Sequence, residues 1–334
     1  MADYKHIELT ASEISTLWTL YHSDTMAVCG LTYFLSHVED EQIRIMLESN
    51  LTLMKQDVEK LTNFFIQEDY PIPKGFTEQD VNVEAPRLFS DKLYLEYMLN
   101  MTNIALVTNT ASLISVERKD VIDFYAENLT ATQNLHRQLK ELAKEKGFYI
   151  RTPSLPKPKQ IDFVKKQKFL AGWFADRRPL LGVEITNLVF NARRNALGQA
   201  LITGFSQVAQ AKEVRQYFER GREISGKHVK VFSSILSDDY LSNSALIMTP
   251  EVTDSTVSPF SDKMMMELVT VLIASGIGEY SVGLAASPRR DLGAHYGRLS
   301  TELTAYAEDG ANIMIDHGWM EQPPMAADRK NLAK

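Results

Sequence analysis

The sequence predicts an all-α protein of two tandem four-helix bundles, each made of two helical hairpins joined by a long crossover. Three observations carry this. Phe89-Ser90-Asp91-Lys92 returns as Phe260-Ser261-Asp262-Lys263, 171 positions later. Apolar residues recur at helical spacing through most of the chain. Breakers fall in two classes, tight turns inside the hairpins and long Pro-bearing stretches between them.

The repeat reaches well beyond the tetrapeptide. At the same offset Glu13-Ile14 matches Glu184-Ile185, Arg44 and Glu48 match Arg215 and Glu219, and Glu96 matches Glu267. Arg118-Lys119-Asp120 matches Arg289-Arg290-Asp291, Tyr125 matches Tyr296, and Gly147 matches Gly318. One register held over so long a span marks a duplication. Expected boundaries are 1–150 for the first bundle, 151–178 for a linker and docking segment, and 179–334 for the second bundle, about the usual domain size.

The first helix is predicted over 10–38, opened by Thr10 with Glu13 three residues on, a capping-box spacing. A short turn at Glu39-Asp40 makes the second helix antiparallel; Ile43, Leu47, Val58, Leu61 and Phe65 lie on one stripe. Pro71 and Pro73 end it. The irregular stretch to about 88 is long for a connection, and it is predicted to be the crossover. Helices follow over 90–116 and 119–146, closed by Gly147 as a C′ residue. The second copy repeats the order over 180–209, 211–237, 261–287 and 288–317, with its crossover at 238–259. Two hairpins and one crossover make the ferritin-like variant of the bundle. Between the copies Pro153, Pro156 and Pro158 stiffen a linker. The segment Phe163 to Phe174 is expected to be amphipathic and buried in docking.

Apolar content of 44% and charged content of 24% are those of an ordinary globular chain. A net charge of −7 excludes the basic footprint of a nucleic-acid binder. The basic cluster from Lys157 to Lys168 reads as a solvated connector. Cys29 is the sole cysteine, which fits a reducing compartment. No uninterrupted apolar run approaches the length of a membrane span. The polar segment 1–8 lacks the core of a signal peptide, so a cytoplasmic setting is expected.

The stretches Ala85-Pro-Arg-Leu-Phe-Ser-Asp91, Phe163-Val-Lys-Lys-Gln167, Gly204-Phe-Ser-Gln-Val-Ala209, Glu251-Val-Thr-Asp-Ser-Thr256, Gly310-Ala-Asn-Ile-Met-Ile315 and Gly318-Trp-Met-Glu-Gln-Pro-Pro324 carry a resemblance. With them the chain resembles, over nearly its whole length, an uncharacterised family of tandem ferritin-like proteins from spore-forming bacilli, akin to spore coat protein F. The resemblance implies the fold and a cytoplasmic or spore-associated setting. It supplies no catalytic residues.

Ferritin-like bundles often hold two metal ions with Glu-x-x-His pairs on facing helices. None of the seven histidines has a glutamate three residues before it. A non-standard site is the remaining candidate. Glu184, His228, Glu279 and His295 place one ligand-capable side chain on each helix of the second bundle, near Asn187, Asn191, Tyr280 and Tyr296, a set suited to Fe, Mn or Zn. The first repeat has Glu13, Asp57, Thr108 and Phe124 at the matching positions, which cannot make the same site. Its core-facing polar residues, Asp24 and His136, are expected to pair. The bland reading neutralises Glu279 with Arg193 or Arg194 and leaves the histidines half-exposed.

Glu48/Glu219 and Glu96/Glu267 fall off the apolar stripes and are expected in surface or inter-helix ion pairs near Arg44/Arg215. Met264-Met265-Met266 reads as core or interface filler. Gly276, Gly278 and Gly283 read as close-approach positions, since no strand precedes them to form a phosphate loop. Cys29 is mid-helix and expected to be inert. Two functions follow: a non-catalytic structural or interaction protein with protein partners or self-association, sporulation- or stress-associated; or a metal-binding protein or metal-dependent oxidoreductase using the second bundle. A small apolar ligand between the helices is a third.

Overall fold

The computed structural model describes residues 7–173, 177–241 and 247–333. Eight long helices dominate: α1 (Ala11–His37), α2 (Glu41–Gln67), α3 (Asp91–Ser115), α4 (Lys119–Glu145), α5 (Gly182–Val208), α6 (Lys212–Asp238), α7 (Asp262–Ala286) and α8 (Arg290–Asp316), followed by the short α9 (Arg329–Leu332). Every bound of α1–α4 lies 171 residues from its counterpart in α5–α8. The chain is all-α, a duplicated set of helical hairpins.

Local signals act as the sequence predicts. Thr10 and Glu13 close a capping box on α1. Ser90 and Ser261 of the repeated tetrapeptide cap α3 and α7, accepting from Leu93 N (3.3 Å) and Met264 N (3.1 Å). Gly147 and Gly318 follow α4 and α8 with φ of +70° and +65°, where a Cβ is unfavourable. Arg44 and Arg215 donate to carbonyls at the ends of the preceding helices, Val38 O and Ala209 O.

Two compact units form. The first comprises Met1–Val83, Met98–Leu142 and Gly318–Lys334; the second comprises Glu84–Tyr97 and Ala143–His317. In the first, Leu17, Leu61, Phe65, Val121 and Phe124 form a buried cluster from α1, α2 and α4. Its C-terminal segment returns to its crossover: Glu321 accepts from the amides of Lys74 (2.9 Å) and Gly75 (3.0 Å).

In the second unit α5 packs on α6 and α7, and α8 on α7 and α6. The two crossovers meet inside it. Phe89 and Val252 form an isolated antiparallel bridge, framed by Ser90 N to Glu251 O and Thr253 N to Leu88 O, both 2.9 Å. Phe89 and Phe260, the two phenylalanines of the repeat, both pack edge-on against Phe205. Gly204 permits this, because a Cβ there would stand 2.5 Å from the Phe89 ring.

Three features bear on the expectations. The segment after residue 160 is not buried: Ile161, Phe163 and Val164 are 88%, 81% and 63% exposed, and Trp173 is 47% exposed. Phe174 lies outside the described residues. Among the described residues of the segment a short 3-10 turn, Gln167–Leu170, forms. Glu96 is buried and makes an inter-helix ion pair, one of the two expected placements, but with Arg193 of α5 in place of Arg44 or Arg215, through both carboxylate oxygens at 2.7 Å. Finally, α7 is long and apolar enough to cross a membrane, with a mean hydropathy of 1.6 over one window. Interruptions by glycine and serine hide this from a search for unbroken apolar runs. A core helix of a bundle has the same composition, and α7 buries Met264, Met265 and Met266 in the second unit.

Candidate functional site

Glu184 occupies the third position of α5 and is fully buried. It is used as a clamp. Its carboxylate accepts from Arg178 Nη1 and Nη2, both 2.8 Å, from Leu181 N at 2.8 Å, and from Arg289 N at 3.3 Å, at the start of α8. Arg289 in turn pairs with Asp291 at 3.0 and 2.7 Å. The first repeat builds the same clamp. Glu13 accepts from the amides of Thr10 (2.7 Å), Glu117 (3.0 Å) and Arg118 (2.6 Å), and Arg118 pairs with Asp120 at 2.8 and 3.0 Å. Burial works to raise both glutamates, but the donors outweigh it and hold each below its ordinary 4.5.

His228 is also fully buried. Its Nδ1 lies 2.8 Å from Tyr280 Oη and its Nε2 3.0 Å from Glu302 Oε2. Asn195 Nδ2 donates to Tyr280 Oη at 2.8 Å, and Lys227 pairs with Glu302 at the surface end. A single proton arrangement satisfies the chain: Tyr280 donates to Nδ1, and Nε2–H donates to the carboxylate. Burial lowers the imidazole below 6.5 against the opposing pull of Glu302, so the neutral form prevails at pH 7.

Glu279 and His295 are partly exposed. Glu279 acts on Arg194 electrostatically, partly offsetting the burial that lowers the guanidinium. His295 is lowered by burial and by nearby arginines, Arg298 first. Of the four nominated residues only His228 joins the Tyr280 chain. Among the described residues no group of three or more His, Cys, Asp or Glu is arranged to hold a metal ion.

The polar centre has a counterpart in the first repeat. Asn195, His228 and Tyr280 match Asp24, Asp57 and Asn109 at the 171 offset. There Asn109 Nδ2 donates to Asn128 Oδ1 and Asn128 Nδ2 to Asp57 Oδ2, both 2.6 Å. Asp24 does not pair with His136 as expected. His136 Nδ1 lies 3.0 Å from Thr102 Oγ1, while Asp24 Oδ2 has no hydrogen-bond partner among the described residues. Burial, then Asp57, pushes Asp24 well above the usual carboxylate range, and burial pushes Asp57 to about 6. Cys29 is buried, donates to Thr77 O at 3.3 Å and is pushed by burial to about 11, so it is inert.

Beside the His228 chain lies a half-enclosed cavity of about 50 Å³ between the helices of the second unit, lined by Arg194, Asn195, Ser225 and Tyr280 among apolar side chains. Gly221 lies at its edge and admits Tyr306, whose Oη would stand 2.1 Å from a Cβ there. Tyr217 and Tyr306 stack at 4.2 Å, and each hydroxyl donates to the other's carbonyl. Sequence reasoning missed Glu302, although it lies two turns beyond His295 on one face of α8.

The fold and site together define an all-α duplicated protein whose core polar groups bond largely to one another. The chain belongs to the family described as a protein of unknown function (DUF3231), whose model matches residues 2–161 and 168–332. No curated protein matches it. One solved structure similar to it, a candidate spore coat protein from Bacillus halodurans C-125, is 19% identical over 46% of this chain and 100% of that chain, with a TM-score of 0.43.

Proposed function

We propose that the protein is a non-catalytic structural or interaction protein built on a duplicated ferritin-like scaffold. One observation supports this most directly: the Glu–Arg–Asp groups that both repeats share are consumed in clamping helix ends. His228, the strongest nominated ligand, is likewise held by Tyr280 and Glu302. An interaction role gains support from the segment between the repeats. It exposes Leu155, Ile161, Phe163 and Val164 among five lysines between 157 and 168. The spore-forming setting rests on the sequence resemblance alone.

Elemental analysis of tag-free protein, with the Glu279→Ala and His228→Ala variants beside it, tests the reading. The scaffold requires iron, manganese and zinc well below one equivalent in all three proteins. Near-stoichiometric metal that both variants lose would overturn it and restore the metal-dependent alternative.

A further inference from the structure

The cavity in the second unit contains a cation that makes no ion pair among the described residues. Arg194 enters from α5, and its Nη2 donates to Ser275 Oγ at 3.0 Å and, more weakly, to Leu272 O at 3.4 Å. Among the described residues, Nε and Nη1 have no acceptor and no carboxylate stands within 4.0 Å of the guanidinium; Glu279 acts only from longer range. Nη1 lies beside Gly276, where a Cβ would stand 3.9 Å away. Ser225 of α6 lines the same cavity, and its hydroxyl has no partner among the described residues. The rest of the lining is mostly hydrocarbon, from Ile202, Leu272, Ile273 and Leu303; Asn195, Tyr280 and Tyr306 also line it, with polar groups already bonded to protein partners.

Arg194 is half-buried, so solvent can reach these free donors, but a guanidinium drawn largely out of water gains from a partner that supplies both acceptors and charge. Water supplies acceptors only. We propose that this cavity binds a short-chain monocarboxylate, with its carboxylate on Arg194 and Ser225 and its alkyl group against Ile202 and Ile273. A guanidinium suits a planar carboxylate, and hydrocarbon walls suit a short tail. A phosphate dianion would bring a second charge that no further cation lining the cavity meets. At about 50 Å³ the space admits only a few heavy atoms, well short of the ~150 Å³ that accommodates benzene. This goes beyond the scaffold reading and does not depend on it.

Equilibrium dialysis of labelled propionate against the full chain, in chloride of matched ionic strength, is the test. Expected are one site per chain with a Kd on the order of 1 mM, and a loss of about tenfold or more in Arg194→Gln. Gly198→Ala guards against a folding defect. Its new Cβ meets only Ser225 Oγ, at 3.8 Å, so the helix keeps its packing while the cavity narrows and propionate weakens. No saturable binding to the native chain, an unchanged Kd in Arg194→Gln, or an unchanged Kd in Gly198→Ala overturns the proposal. So does inorganic phosphate displacing propionate at equal or lower concentration.

Discussion

Replacing Glu184 by glutamine keeps the length of the side chain and one carbonyl acceptor, but it removes the charge that holds Arg178. The carboxylate is fully buried and the Arg178 side chain is 14% exposed, so little solvent compensates for the loss. Breaking a buried pair by removing one partner costs about 3–5 kcal/mol. Glutamine still accepts one of the amides, so Glu184→Gln should cost about 2–3 kcal/mol and Glu184→Ala the full range. Glu13 supplies the internal control. Its donors are backbone amides and the Thr10 hydroxyl, with no arginine side chain among them. Glu13→Gln should therefore cost only about 1–2 kcal/mol. Urea unfolding followed by circular dichroism measures the totals, and hydrogen exchange at the start of α8 or α4 localises them. The pH dependence has a fixed sign. Both carboxyls are held below 4.5 in the folded state, so their contribution is complete above that value and is lost as pH falls beneath it. The gap between native chain and glutamine variant must then shrink from pH 7 toward pH 3. A Glu184→Gln cost no larger than that of Glu13→Gln, or a gap that grows on acidification, would refute the clamp.

Two further outcomes follow from the cores. Asp57 is raised from 3.8 to about 6, so its ionisation at pH 7 opposes folding; Asp57→Asn should raise stability there by about 1–3 kcal/mol. The advantage should fade as pH drops through 6 toward 4, read from urea midpoints at the two ends. Gly221→Ala places a methyl 2.1 Å from the Tyr306 hydroxyl and should cost about 1–3 kcal/mol. Pairing it with Tyr306→Phe should recover part of that loss, and strict additivity in the double-mutant cycle would deny the contact.

The sequence made the helices legible because their boundaries are set locally. The Thr10 box, the Ser90 and Ser261 caps and the C′ glycines are short-range signals, and the apolar stripes between them need no partner to be seen. Glu13 and Glu184 were visible as a repeated pair, and Glu13 as the partner in the Thr10 box, but their reach to the start of a later helix was not. Both also accept from a backbone amide about a hundred residues away, and a backbone donor leaves no mark on residue type. Arg193 or Arg194 was the alternative counter-ion for Glu279; Arg194 acts with it at longer range, and spacing along α5 and α7 cannot separate a contact from a longer-range attraction. The segment after residue 160 looks amphipathic at helical spacing; among its described residues one short 3-10 turn, Gln167–Leu170, forms.

What differs between the repeats is as informative as what they share. The Glu–Arg–Asp part of the clamp recurs with the same residue types, as expected for a device that joins helix ends in each copy, whereas Arg178 is added in the second copy, where the first has Ile7. The polar centre recurs by position only. Asp24, Asp57 and Asn109 in one copy stand where Asn195, His228 and Tyr280 stand in the other. A buried polar layer at one height fixes which helices face each other, because any slip strands its donors and acceptors. That role constrains the place of the layer and leaves its chemistry free to diverge. The first copy used that freedom for raised carboxyls, the second for a neutral imidazole chain beside a cavity with an unmatched arginine. Specific ligand chemistry, if the duplication produced any, belongs to the second copy, where the divergence opened space.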